Sequence, residues 1–250
     1  MYRLFRQTLA FLTILPGQAG AEFNSQNLAR MPGCFPLVGL VAGLISALLW
    51  LILGALNLPD SLKAILVVTG LLVLTRGFHL DGLADSADAL LSHRSVLEKL
   101  QIFKDCHLGT FGVTAIVLDL LLKISLYATV MATPLALTAF ILVPLWGRLS
   151  AAVVACSSRY ARPSGGLSLN LVDGSGRDEM RLAVLTSVVL SIFGGWLSLV
   201  TVLWALLVGF VLNKVWTRAL GGVTGDLLGA TVELGEILSL GFFLALGSCF

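Results

Sequence analysis

The chain has 250 residues, 57% of them hydrophobic and 12% charged, with a net charge of +2 and a mean hydropathy of +0.96. Soluble domains carry about 25% charged residues, so this composition excludes a water-soluble domain and implies lipid-facing surface. The small net charge argues against a nucleic-acid surface.

The N-terminal segment MYRLFRQTLAFLTILPGQAGA joins a basic start to a short apolar core and small residues. Composition leaves two readings open. One is a cleaved signal peptide. The other is an interfacial or re-entrant helix, with Arg3 and Arg6 at the headgroups and Leu4, Phe5, Leu9, Phe11 and Leu12 in the acyl region. Residues 37–58 carry no charge and satisfy the roughly 20 apolar residues that a spanning helix needs. NLPDS then turns the chain. A shorter second span is expected over 62–78, with Arg76 near its end. Residues 79–112 are polar, contain glycine and hold most of the acidic groups. A third span, 113–131, is interrupted by Asp119 and Lys123, and a fourth runs from Pro134 to about Cys156. Residues 157–181 are polar again. The apolar run 182–217 is too long for one helix, and Gly194-Gly195 suits a turn between two spans. Residues 218–236 read as a third polar segment before a last apolar run to Phe250.

The expected fold is all-α: a polytopic membrane helical bundle of about seven spans plus the N-terminal helix, in one membrane-embedded domain. Basic residues orient it. With the N-terminus cytoplasmic, Arg94, Lys99, Lys104, Arg159, Arg162, Arg177, Arg181 and Arg218 share that side, against Lys63 alone on the other. The cysteines, Cys34, Cys106, Cys156 and Cys249, have no CxxC spacing and read as small apolar fillers.

HLDGLADSADAL at 79–90 is the most informative stretch. A helical residue advances about 100°, so Asp81, Asp85 and Asp88 fall within an arc of roughly 60°. Such carboxylates repel unless cations sit among them. Oxygen-only ligands suit Mg²⁺, which is usually completed by water and substrate phosphates. The bland reading is a solvated acidic face at a helix start, but a purely acidic run between apolar spans is unlike the mixed charges that solvate a surface. His79 reads as a cap or spacer before it reads as a base. KDCHLGTFG at 104–112 sets Lys104 and Asp105 before a glycine turn whose N–H groups can hold phosphate. GGVTGDLLGA at 221–230 offers Thr224 and Asp226 as a phosphate cradle and a further metal-facing carboxylate, without the GK[ST] ending of a Walker loop. Arg159 and Arg162 are phosphate-binding candidates or topology signals. Asp119 and Lys123, four apart, form a buried pair or leave Lys123 facing the site. Arg148 snorkels or points into the bundle.

Together these stretches resemble the cobalamin synthase family, the adenosylcobinamide-GDP ribazoletransferases. The likeness rests on GFHLDGLADSADAL at 77–90, KDCHLGTFG, RYAR and GGL within 159–167, GGVTGDLLGA, the opening FLTILPG and FPLVGLVAGL at 35–44. It implies Mg²⁺-dependent transfer of the cobinamide phosphate of adenosylcobinamide-GDP to α-ribazole or its 5′-phosphate, with release of GMP, at the cytoplasmic face of the inner membrane. It assigns Asp81, Asp85, Asp88 and Asp226 to the metal and to catalysis. Lys104, Asp105, Lys123, Arg148, Arg159, Arg162 and Thr224 become candidates for substrate phosphates. It also keeps the N-terminal segment as an embedded helix. Three positions depart from the family pattern: Ile14 in place of a basic residue, Cys106 in place of serine, and Ala89 in place of glycine. None is a proposed metal ligand. Membrane lipid is an expected partner, nucleic acid is not, and a homo-oligomer is compatible with the sequence. A lipid phosphotransferase using CDP-activated alcohols would carry DGxxAR, whereas here Asp81-Gly82 leads to Ala84-Asp85. A cation-coupled transporter would place its carboxylates near the bilayer midplane, where Asp119 alone is expected. A non-catalytic scaffold would show no Mg²⁺ dependence.

Overall fold

A computed structural model describes residues 1–17, 24–105, 107–162 and 165–248. Cys106, Cys249, the middle of the RYARPSGGL segment and the small residues after the first helix lie outside the described residues. The described chain is helical, and its one β-bridge joins Tyr160 to Val223.

The helices are α1 (Tyr2–Leu12), α2 (Ser25–Arg30), α3 (Phe35–Gly54), α4 (Asp60–Thr75), α5 (Phe78–Leu91) and α6 (Val96–Ile102). They are followed by α7 (Thr110–Met131), α8 (Ala136–Ser157), α9 (Leu167–Asp173), α10 (Arg177–Ser191), α11 (Gly195–Leu220) and α12 (Gly225–Gly247). Helix α8 is the axis of the bundle. Its residues from Leu142 to Ala155 are all buried, and α3, α10, α11 and α12 pack around it. Contacts along α8 give the direction of each neighbour. Helix α3 runs antiparallel to it, from Gly39 against Pro144 to Trp50 stacked on Phe140 at 5.0 Å. Ser175, just before α10, donates to the Ala155 carbonyl at 3.1 Å, and Ser191 at its end accepts from Trp146 at 3.2 Å. Helix α11 returns: the Ala205 carbonyl accepts from Ser150 at 2.8 Å, and Asn213 donates to the Ser157 carbonyl at 3.3 Å. The chain therefore reverses at Gly194-Gly195, where Gly195 has φ 74°. Helix α12 runs antiparallel to α8, with Gly147 against Glu236 and Gly247 against Leu135.

By length and apolarity, five stretches are able to cross a membrane, and α4 with α5 makes a sixth if that bent pair is one span. One of the five is the 44-residue run 177–220, which the reversal divides. The path thus traverses the bundle by α3, α4, α7, α8, α10, α11 and α12. Of these, α4 and α10 have only 16 and 15 residues, below the roughly 20 of a full crossing.

Three expectations need correction. Residues 218–236 are not a polar segment before the last span, because α12 begins at Gly225 and carries Glu233 and Glu236 inside the bundle. The second span ends early: Arg76 and Gly77, with φ 57° and 65°, turn the chain by 89° into α5. Helix α5 is not a crossing helix. It runs past the N-terminal ends of α12 and α7, with Gly82 beside Asp226 and Asp88 beside Gly109. Finally, the apolar face of α1 meets the bundle. Leu4, Phe5, Leu9 and Phe11 pack on the protein core and Leu12 is buried in it. The α1 end is fixed by a bond from the Ile14 amide to the Leu74 carbonyl at 2.8 Å.

Candidate functional site

The site begins with the approach of α5 to α12. A Cβ at position 82 would stand 2.5 Å from the Asp226 carbonyl oxygen, so only glycine admits this contact. It brings the α5 carboxylates beside Asp226, in the first turn of α12. Asp81 is exposed, and Asp85 and Asp88 are partly buried. Burial first, then the charges of Asp81, Asp226 and Asp88, raise the Asp85 carboxyl to about 7, against a smaller opposing effect of Arg162. Asp81, Asp88 and Asp226 thus all act on Asp85. Asp88 faces elsewhere, however. Its oxygens accept from the Gly109 and Gly112 amides at 2.8 and 2.9 Å. It closes the N-terminus of α7, where the exposed N–H groups and the helix dipole favour an anion.

A second approach sets Arg162. The Ala161 amide donates to the Val223 carbonyl at 2.9 Å, and the Val223 amide donates to the Arg159 carbonyl at 2.8 Å. This short bridge lays the RYAR segment along the loop before α12. Arg162 then donates to Asp226 at 2.7 Å and to the Phe103 carbonyl at 3.3 Å, with its guanidinium 5.6 Å from the Phe103 ring centre. A cleft of about 1000 Å³ opens over these groups, lined by Asp81, Asp226, Arg162, Tyr160, Arg76 and Phe78 among others. Its lining combines basic, acidic and aromatic side chains, with Arg162 and Asp226 paired inside it. That composition suits a large ligand carrying both phosphate and flat rings.

The other candidates lie apart. Thr224 is buried and caps α12, its hydroxyl accepting from the Leu227 amide at 3.4 Å. Arg159 is exposed, and its carbonyl accepts from the Val223 amide. Lys104 and Asp105 follow α6 outside the cleft lining, and Asp105 accepts from the His107 ring at 2.6 Å. Lys123 and Arg148 are inside the bundle. Lys123 is paired with Glu233, and with Glu236 at 2.8 Å, while Arg148 donates to Glu236 at 2.6 Å. Arg148 therefore points inward and does not snorkel. Sequence reasoning missed both glutamates, which are 7 and 10 positions beyond Asp226 on α12. A charged pair three apart within an apolar run was the signal available. It also passed over Tyr160, although that residue lies inside a quoted motif.

Among the described residues, no three His, Cys, Asp or Glu side chains are close enough to hold a metal alone. The donor set is nonetheless oxygen-only and anionic. It fits a hard divalent ion bound by one or two carboxylates and completed by phosphate oxygens and water.

A family model described as cobalamin-5-phosphate synthase matches residues 4–244. The adenosylcobinamide-GDP ribazoletransferase of Thermoanaerobacter pseudethanolicus is 32% identical over 241 residues, covering 95% of this chain and 95% of that relative. No solved structure matches. The family match runs from α1 into the last turns of α12 and includes every element that forms the cleft, so the chain belongs to the cobalamin-5-phosphate synthase family.

Proposed function

We propose that the chain is an adenosylcobinamide-GDP ribazoletransferase. It transfers the cobinamide phosphate of adenosylcobinamide-GDP to a ribose hydroxyl of α-ribazole or its 5′-phosphate and releases GMP. The observation that carries this reading is the convergence of Asp81, Asp226 and Arg162 on one cleft, with Asp85 close enough to feel the charges of both aspartates, in a chain of this family.

Phosphoryl transfer asks a protein mainly for positioning and charge neutralisation. Asp81, Asp85 and Asp226 would hold Mg²⁺, which neutralises diphosphate charge when bound. Arg162 lines the cleft beside Asp226 and would take a phosphate oxygen of the substrate. The hydroxyl oxygen of α-ribazole forms the new bond to the phosphorus on cobinamide. The bond from that phosphorus to the bridging oxygen breaks, and GMP departs with the electron pair. The hydroxyl proton passes to a carboxylate of the α5 set. Asp88 acts by holding α7 against α5, and Thr224 by starting α12. The cleft faces the side where the basic loops gather, which supports a cytoplasmic active site in the inner membrane.

The test is reconstitution. Purified protein in nanodiscs with Mg²⁺, adenosylcobinamide-GDP and α-ribazole is expected to yield a cobalamin product and GMP in equal amounts. A folded wild-type protein that forms neither product would overturn the reading.

A further inference from the structure

Beneath the cleft, α7, α8 and α12 bring five ionisable side chains together away from water. Asp119, Lys123, Arg148, Glu233 and Glu236 are 1–6% exposed. Lys123 is paired with Glu233, donates to Glu236 at 2.8 Å and lies 3.9 Å from Asp119. Arg148 donates to Glu236 at 2.6 Å and to the Pro144 carbonyl at 3.0 Å. Three carboxylates face two cations, so one negative charge is left over. An uncompensated charge in an apolar interior is costly enough that the group takes up a counter-charge instead. Asp119 shows where. Both of its oxygens are buried without a hydrogen-bond donor, and its carboxyl and that of Glu233 lie against the same Lys123 ammonium. Two acceptors meet there, and an ionised carboxylate has no hydrogen to give.

We propose that Asp119 and Glu233 share one proton, which neutralises the buried cluster and joins α7 to α12 beneath the cleft. The groups facing the pair are Lys123 and Tyr127 of α7, Arg148 of α8 and Glu236 of α12, with His79 of α5 across a small cavity. The Tyr127 hydroxyl is also buried without a partner. The cavity, about 20 Å³, has room for about one water. No three acidic or histidine side chains among the described residues are placed to hold a metal. A proton is therefore the counter-charge that fits. Like-charged carboxyl groups in contact share a proton for the same reason elsewhere. Glu233 lies about two helical turns from Asp226, so the shared proton is a positioning device for the α12 end that enters the cleft. It is independent of which group the cleft transfers.

Infrared spectroscopy of the protein in nanodiscs tests this. The wild type is expected to show a protonated-carboxyl band that persists at about pH 8, above the range in which Asp85 titrates, and exchanges slowly in deuterated water. Asp119→Asn and Glu233→Gln each restore neutrality without the proton. Both are expected to fold and to lose the band, while the double variant, with one positive charge in excess, melts lower than either. A wild-type spectrum without a persistent band overturns the proposal. So does a band that survives in a folded single variant. Stability that falls when sodium is replaced by choline at constant ionic strength would assign a monovalent cation instead, and would also overturn it. If one single variant fails to fold, the other and the wild-type spectrum still decide.

Discussion

Asp85 and Asp88 are three positions apart on one helix, yet their surroundings differ. Asp85 is crowded by Asp81, Asp226 and Asp88, and its carboxyl is raised to about 7. An acid whose folded value is raised loses stability as pH climbs through that value, because the ionised form is disfavoured in the fold. Asp85→Asn removes that repulsion. The ligand-free variant is expected to melt higher than wild type by about 2 °C, while activity falls about a thousandfold. Added Mg²⁺ should narrow the melting gap, since it stabilises only the protein that binds it. A D85N protein that turned over normally with Mg²⁺ would remove Asp85 from the metal assignment. Asp88, by contrast, accepts from the Gly109 and Gly112 amides. Asp88→Ala leaves those donors unpaired and is expected to cost about 1–2 kcal/mol, as a lost helix cap does. Its melting point should drop while the Mg²⁺ concentration needed for half-maximal rate stays near that of wild type. An equal rise of that concentration in both variants would make Asp88 a ligand and sink the distinction.

At the scale of elements, the site depends on how closely α5 approaches α12. A Cβ at position 82 meets a backbone oxygen at 2.5 Å, and a backbone atom in a helix cannot step aside. Gly82→Ala is expected to force the helices apart and to destabilise by about 1–3 kcal/mol. Activity should fall further than that loss of stability explains, because the displacement separates Asp81 and Asp85 from Asp226. Melting and kcat measured on the same preparation check this; an unchanged melting point with full activity would show that the approach is slack. The sequence made this contact partly legible. Beside the aspartates, Gly82 leaves the α5 surface bare, open to a phosphate ester or another helix. The partner was not readable, since Asp226 is more than 140 positions away. The same separation hid the buried cluster. Asp119 and Lys123 are visible as a pair four apart. Glu233 and Glu236 look like loop residues until Lys123 and Arg148 arrive from two other helices to pair with them. Local pattern reads a face of one helix, and long-range pairing decides what that face meets.

For the whole molecule, the hydrophobic runs and the basic loops together implied one polar end rich in chemistry and one nearly bare end. The path of the helices agrees with that division. Helices α7 and α12 begin at the cleft end, where α5, the RYAR segment and the loop at 221–224 also lie. The turn at Gly194-Gly195, beside Thr138, lies at the other end. Asp60 and Lys63, paired at 3.2 Å, begin the helix that climbs from that end to the site. If the basic end is cytoplasmic, the two ends differ in access to a reagent that cannot cross a membrane. The native cysteines would be replaced by serine and single cysteines introduced as Arg94→Cys and Asp60→Cys, both at exposed positions. An impermeant maleimide is expected to label position 60 in intact cells stripped of their outer layers. It should label position 94 only in inverted vesicles. Labelling of both positions from the same side would break the topology, and with it the assignment of the cleft to the compartment that holds nucleotide-activated substrates.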